Sequence, residues 1–223
     1  MKKILVSLTF GLIAQANTLY AQAEKTRLGF LDVEAIWGIN FTKPQQNFAV
    51  EGEVGTDYDL GVTFLSVPLS KNDPSPVTTV ALHYAYTRQN FSGYQIINDI
   101  KFRRNEVFAR IKPFTFNPAY PMEYSKVFGL VLGGLYADVG YTSGNYFFEN
   151  VNGNITTPTD NKSGLVWGWG YNANIKKGPV GGIVGFGSKR YNFASTNGST
   201  MKYKSRSFQF GISYALNWQE KNR

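Results

Sequence analysis

The chain has 223 residues, with 23 Lys and Arg against 15 Asp and Glu, one His, no Cys, 23 Gly, and 17 Phe, 14 Tyr and 4 Trp. Without cysteine there is no disulfide scaffold, thiol nucleophile, Cys-ligated metal or lipid-carrying cysteine, and one histidine excludes a His-rich metal site, so neither metal nor cofactor is expected. A hydrophobic share of 43% suffices for a folded domain, and 16% aromatics beside abundant Gly and Asn favour strands and turns over helices.

Residues 1–23 read as a secretory signal peptide. Met1-Lys2-Lys3 is a short basic start, Ile4 to Ala14 is an apolar run, and Ala21-Gln22-Ala23 has the small-x-small form of a cleavage site. The run is too short for a membrane span, which needs about 20 residues. The domain is then expected to occupy residues 24–223, where losing Lys2 and Lys3 from the 23 basic residues leaves 21 against 15 acidic ones. No later stretch has the length and apolarity of a transmembrane helix.

Beyond this segment, alternation dominates, as expected where successive side chains point to opposite faces of a strand. Leu31, Val33, Ala35, Trp37 and Ile39 oppose Asp32, Glu34 and Gly38, and Tyr58, Leu60, Val62 and Phe64 oppose Asp57, Asp59, Gly61 and Thr63. Val80, Leu82, Tyr84 and Tyr86 oppose Thr79, Ala81, His83 and Ala85; Val107, Ala109 and Ile111 oppose Glu106, Arg110 and Lys112. A fifth strand is predicted over about 127–141, with Asp138 facing away from Leu135, Ala137, Val139 and Tyr141. Trp167, Trp169, Tyr171, Ala173 and Ile175 mark a sixth, a seventh spans about 180–188, and Phe208, Phe210, Ile212, Tyr214, Leu216 and Trp218 share one face of the eighth. Polar stretches at 42–55, 88–99, 142–163 and 189–205 read as mostly long loops, those at 68–76 and 176–179 as shorter turns, and 113–126, with three prolines, as a long exception.

Two all-β architectures bury one face of such strands, a soluble barrel or sandwich and a transmembrane barrel. The second parity here is small or neutral-polar as often as charged, which suits the crowded lumen of a small barrel. Trp37, Trp167, Phe208 and Trp218 stand near strand ends, where membrane barrels carry aromatic girdles. The reading is an eight-stranded antiparallel transmembrane β-barrel, an up-and-down meander with both termini periplasmic.

With its signal segment, eight alternating strands and last strand Phe208 to Trp218, the sequence resembles the small bacterial outer-membrane β-barrels of the OmpA/OmpX type over residues 28–218. The resemblance implies location in the outer membrane of a Gram-negative cell. It further implies recognition of the final strand by the barrel assembly machinery, through Tyr214, Leu216 and Trp218.

The search for chemistry points away from catalysis. His83 lies on the inward face, and the His-x-Ser pair of a lipid-modifying enzyme would need serine at 85, which is Ala85. Gly168-x-Gly170-x-x-Ala173 imitates a dinucleotide fingerprint inside a strand, without the helix that would hold a phosphate. The Asn-x-Ser/Thr triplets at Asn40, Asn90, Asn154, Asn161 and Asn197 read as polar loop composition. Inward charges on several walls, Asp32, Glu34, Asp57, Asp59, Glu106, Arg110, Lys112 and Asp138, are expected to pair across a lumen just wide enough for side chains, closing the barrel. A narrow ion path lined by the same residues is the alternative.

Lys189, Arg190, Lys202, Lys204 and Arg206 are expected to point outward above the extracellular girdle and meet lipopolysaccharide phosphates; solvated loop charges are the other reading. The functional expectation is a non-enzymatic barrel that supports outer-membrane integrity and binds a surface protein or host ligand through its loops, Tyr146, Phe147 and Phe148 forming one aromatic cluster. Its partners are membrane lipid, lipopolysaccharide and the assembly machinery, with no nucleic acid. A lipid-modifying enzyme and a soluble exported lipid-binding barrel remain as alternatives.

Overall fold

The computed structural model describes residues 32–44, 50–52, 54–69, 77–93, 100–115, 131–148, 161–177, 179–194 and 200–216. The predicted signal segment and Trp218 lie outside them. The strands are β1 (Asp32–Pro44), β2 (Val50–Gly52), β3 (Val54–Pro68), β4 (Val77–Gly93), β5 (Ile100–Thr115), β6 (Leu135–Phe148), β7 (Asn161–Lys177), β8 (Val180–Ala194) and β9 (Thr200–Ala215). Short β2 and long β3 both pair with β4, so together they form one stave of the wall. Eight staves follow in meander order, and antiparallel pairing of β1 with β9 and of β4 with β5 closes the sheet.

The register fixes the geometry of closure. A rung starting at Leu135 on β6 runs through Tyr171, Phe186, Phe208, Ile39, Thr56, Arg88 and Arg103, and returns to β6 at Asn145, ten residues further along. That stagger tilts eight strands by about 40–45° from the barrel axis. Asp32 at the start of β1 pairs with Ala215 at the end of β9. Both ends of the barrel chain therefore lie at one rim, the periplasmic one in an even-stranded barrel of this kind.

Several predicted loops are strand. The ladders continue through Pro44, Gly93, Phe148 and Ala194, so parts of 42–55, 88–99, 142–163 and 189–205 extend the wall. The expected long–short alternation of loops does not survive. Polar alternation continues in these segments, and a strand that has left the apolar layer can keep its backbone paired while both faces are polar. The fifth predicted strand starts late: residues 131–133 are helical and β6 begins at Leu135. In β3 a bulge between Thr63 and Leu65 puts Phe64 and Leu65 on the outside together and returns Ser66 to the inside.

The two faces are opposite in character. Leu60 is 60% exposed and Ile175 69%, whereas Arg104 is 1% exposed and Glu106 0%. Apolar side chains cover the outside and charges fill the inside.

Candidate functional site

The lumen is built from β5 outward. Alternation on β5 sends Phe102, Arg104, Glu106, Phe108 and Arg110 inward, a file of charge and ring that reaches the other walls. Nearest the extracellular rim, Arg104 donates through Nε to Glu106 Oε1 at 2.5 Å, through Nη1 to Gln89 Oε1 and Tyr203 Oη, both at 2.5 Å, and through Nη2 to Tyr191 Oη at 2.9 Å. Its guanidinium also lies 4.1 Å from the centroid of Tyr191, whose ring stacks on Tyr203 at 4.6 Å. A buried guanidinium without such partners would be strongly destabilising; here four side chains receive it.

One layer down, Glu106 accepts from Lys189 Nζ at 2.9 Å and from Tyr191 Oη at 3.0 Å. The Lys189 ammonium sits 3.8 Å from the centroid of Phe108. His83 also stacks on that ring, at 5.2 Å between centroids, with Nδ1 2.8 Å from Asp59 Oδ1. Asp59 Oδ2 lies 3.5 Å from Arg110, and Arg110 donates a two-pronged pair to Asp138 at 2.8 and 2.9 Å, as a planar guanidinium does best. Tyr136 takes the face of Arg110 at 4.1 Å and donates to Gln209 at 3.1 Å. Towards the periplasmic rim Lys112 donates to Glu34.

All eight lumenal charges named from the sequence face inward. Glu34, Asp59, Glu106, Arg110, Lys112 and Asp138 take part in these pairs. Asp32 is buried at the periplasmic end, and Asp57 occupies the space beside Gly38, where a Cβ would come within 1.9 Å of its Oδ1. Arg104, Gln89, Tyr136, Tyr191 and Tyr203 were not anticipated. Parity carried two residues upstream from Glu106 would have found Arg104.

Of the five residues expected on the basic outer edge, Lys189 is corrected. Neighbours on a strand without a bulge alternate faces, and Lys189 turns inward to Glu106 while Arg190 turns outward, 4.8 Å from the centroid of Trp167. Lys202 and Arg206 are exposed and Lys204 half-exposed, on the outward parity of Phe208. Tyr214 and Leu216 also lie exposed on the outer face. The Tyr146–Phe148 cluster belongs to β6 rather than to a loop.

On the outer face, among residues whose side chains are described, no charge interrupts the wall from Leu135, Ile111 and Tyr214 up to Tyr141, Tyr86 and Phe208, and every described carboxylate faces the lumen. Above that belt the charges among the described side chains of the outer face are cations: Arg88, Arg103, Arg190, Lys202, Lys204 and Arg206. Catalysis finds little support in the lumen. His83 is oriented by Asp59 as a general base would be, but it is fully buried and Ala85 stands where a serine would be required.

No protein-family profile matches the sequence, and no curated protein matches it. Among solved structures the chain is similar to Ail, the attachment invasion locus protein of Yersinia pestis, with a TM-score of 0.47 at 15% identity over 83% of this chain and 97% of that one. It is similar also to Neisserial surface protein A (TM-score 0.44, 11% identity, 85% and 100% covered) and to the β domain of the Bordetella autotransporter BrkA (0.45, 10%, 84% and 100%). A soluble barrel would put its apolar face inside; here that face is turned out around the whole circumference and the charges are enclosed, which corrects the soluble alternative. The protein is an eight-stranded antiparallel β-barrel whose outward apolar belt and enclosed charges are those of a transmembrane barrel.

Proposed function

We propose that this is a non-enzymatic outer-membrane barrel whose lumen is closed by its own charges, and whose basic outer edge holds the phosphates of lipopolysaccharide and so contributes to the integrity of the outer leaflet. The observation that carries the reading is the single sign of charge on the upper outer face among the residues whose side chains are described. Arg190, Lys202, Lys204 and Arg206 stand on neighbouring strands β8 and β9 immediately above Trp167 and Phe208. At that level a cation can keep its stem on apolar surface while its head meets a phosphate through charge-assisted hydrogen bonds. Tyr214, Leu216 and Trp218 serve as the assembly signal in this reading, and the loops at the extracellular rim supply contacts to a surface protein or host ligand.

The test is the triple variant K202E/K204E/R206E. It is expected to fold, to show the same heat-modifiable gel shift as the parent, to co-purify with less lipopolysaccharide, and to lose the rise in melting temperature that added lipopolysaccharide gives the parent. Equal lipopolysaccharide retention and an equal thermal response would reduce this edge to a solubility device.

A further inference from the structure

The cationic level does not end at β8 and β9. Arg88 on β4 and Arg103 on β5 are direct cross-strand partners on the outer face, and both are exposed. Counted around the wall, the β4–β5 pair stands diametrically opposite β8–β9. The rung through Arg88 meets β9 at Phe208 after three strands; correcting for the stagger built up over those strands brings the level on β9 to about Lys204. The two sites share one height.

The local chemistry differs from that of a pair of solvated arginines. Side chains directly opposite on one face have Cβ atoms about 4.5–5.5 Å apart, so two guanidinium forks are presented at a spacing that one tetrahedral anion can bridge. Tyr86 fixes the first fork: Arg88 Nε donates to its Oη at 3.4 Å, and the guanidinium lies 5.5 Å from its ring centroid. Just below, Tyr84 donates to Asn105 Oδ1 at 2.6 Å, forming a polar ledge above the apolar side chains of Leu82 and Val107. A fork pair above an aromatic ledge above an apolar wall matches a phosphorylated saccharide carrying acyl chains, read from head to tail.

We propose that Arg88 and Arg103, with Tyr86 as their support, form a second lipopolysaccharide-phosphate clamp on the wall opposite the β8–β9 edge, so that the barrel holds the outer leaflet on two sides. This deepens the reading above and rests on it. The experiment follows the melting temperature of the full barrel in non-ionic micelles during titration with lipopolysaccharide, with the same lipid after enzymatic removal of its phosphates, and with inorganic phosphate. The parent, R88Q/R103Q, Y86F and K202E/K204E/R206E are compared.

The half-maximal lipopolysaccharide concentration is expected to rise roughly tenfold in R88Q/R103Q and by a smaller factor in Y86F, the scale of losing a charge-assisted pair. The dephosphorylated lipid should give the parent and R88Q/R103Q the same weak response. A parental dose response in both R88Q/R103Q and Y86F overturns the clamp while leaving the β8–β9 edge to stand or fall by its own variant. Equal stabilisation of the parent by dephosphorylated lipid, or a full response to inorganic phosphate alone, overturns it also, the first because phosphate is then irrelevant and the second because lipid is.

Discussion

Glu106 is the residue on which the lumen turns, because it is fully buried and receives Arg104 and Lys189 together. Removing one member of a buried ion pair leaves the other charge uncompensated, at a cost of about 3–5 kcal/mol, and here two cations are left. Glu106→Ala is therefore expected to lower unfolding stability by at least about 3 kcal/mol, measured by urea titration of barrels folded into lipid vesicles, with Glu106→Gln losing less because it keeps an acceptor for one donor. At this scale the sequence was readable wherever alternation applied without interruption. It gave inward Glu34, Asp59 and Arg110 because each sits between apolar neighbours of the other parity, and it misplaced Lys189 because a Lys-Arg pair in a supposed loop carried no parity at all. The tyrosines that receive Arg104 were beyond reach, since Tyr191 and Tyr203 lie 87 and 99 residues from it and only closure brings them near.

Strand existence was legible and strand length was not. Periodicity in hydrophobicity marks the part of a strand that crosses lipid, about 9–11 residues, whereas the ladders here run for 13 to 17 in the eight long strands. The excess, as in β8 from Lys189 to Ala194, is polar wall whose sequence looks like loop. Gly140 shows what packing asks of a strand position: a Cβ there would meet the Val107 carbonyl at 2.2 Å, a close approach of β5 and β6 that hydropathy does not register. Within the belt the outer face obeys lipid. Leu60→Arg, on the belt of β3, is expected to cost about 2–4 kcal/mol in vesicles, while Arg88→Leu, two strand positions beyond Tyr86 at the upper margin, should leave unfolding stability nearly unchanged; similar losses at both would mean that the belt does not lie where the uncharged surface does.

At the scale of the whole barrel, architecture was the most legible property, because an even set of amphipathic strands has few ways to pair without leaving an edge. What remained open was whether the enclosed charges plug the lumen or line a path. On β5 alone, rings and charges succeed one another inward from Phe102 to Lys112, and Arg104, Phe108 and Arg110 each reach another wall. Purified barrel in planar bilayers is expected to give no stable conductance steps; regular openings from the parent protein would show the charges to be a filter. The same pairs also carry information about time. Glu34 with Lys112, Glu106 with Lys189 and Arg104 with Tyr203 join residues 78, 83 and 99 positions apart, on staves three or four apart, so each of them forms only as the sheet curls round. Until then the growing sheet is a gutter, greasy on its convex side and wet with unpaired charge on its concave side, held at the bilayer surface by one face and kept from sinking by the other. Dehydration of the interior is complete only when β1 zips to β9, which makes the closing ladder also the step that seals the charges away from water.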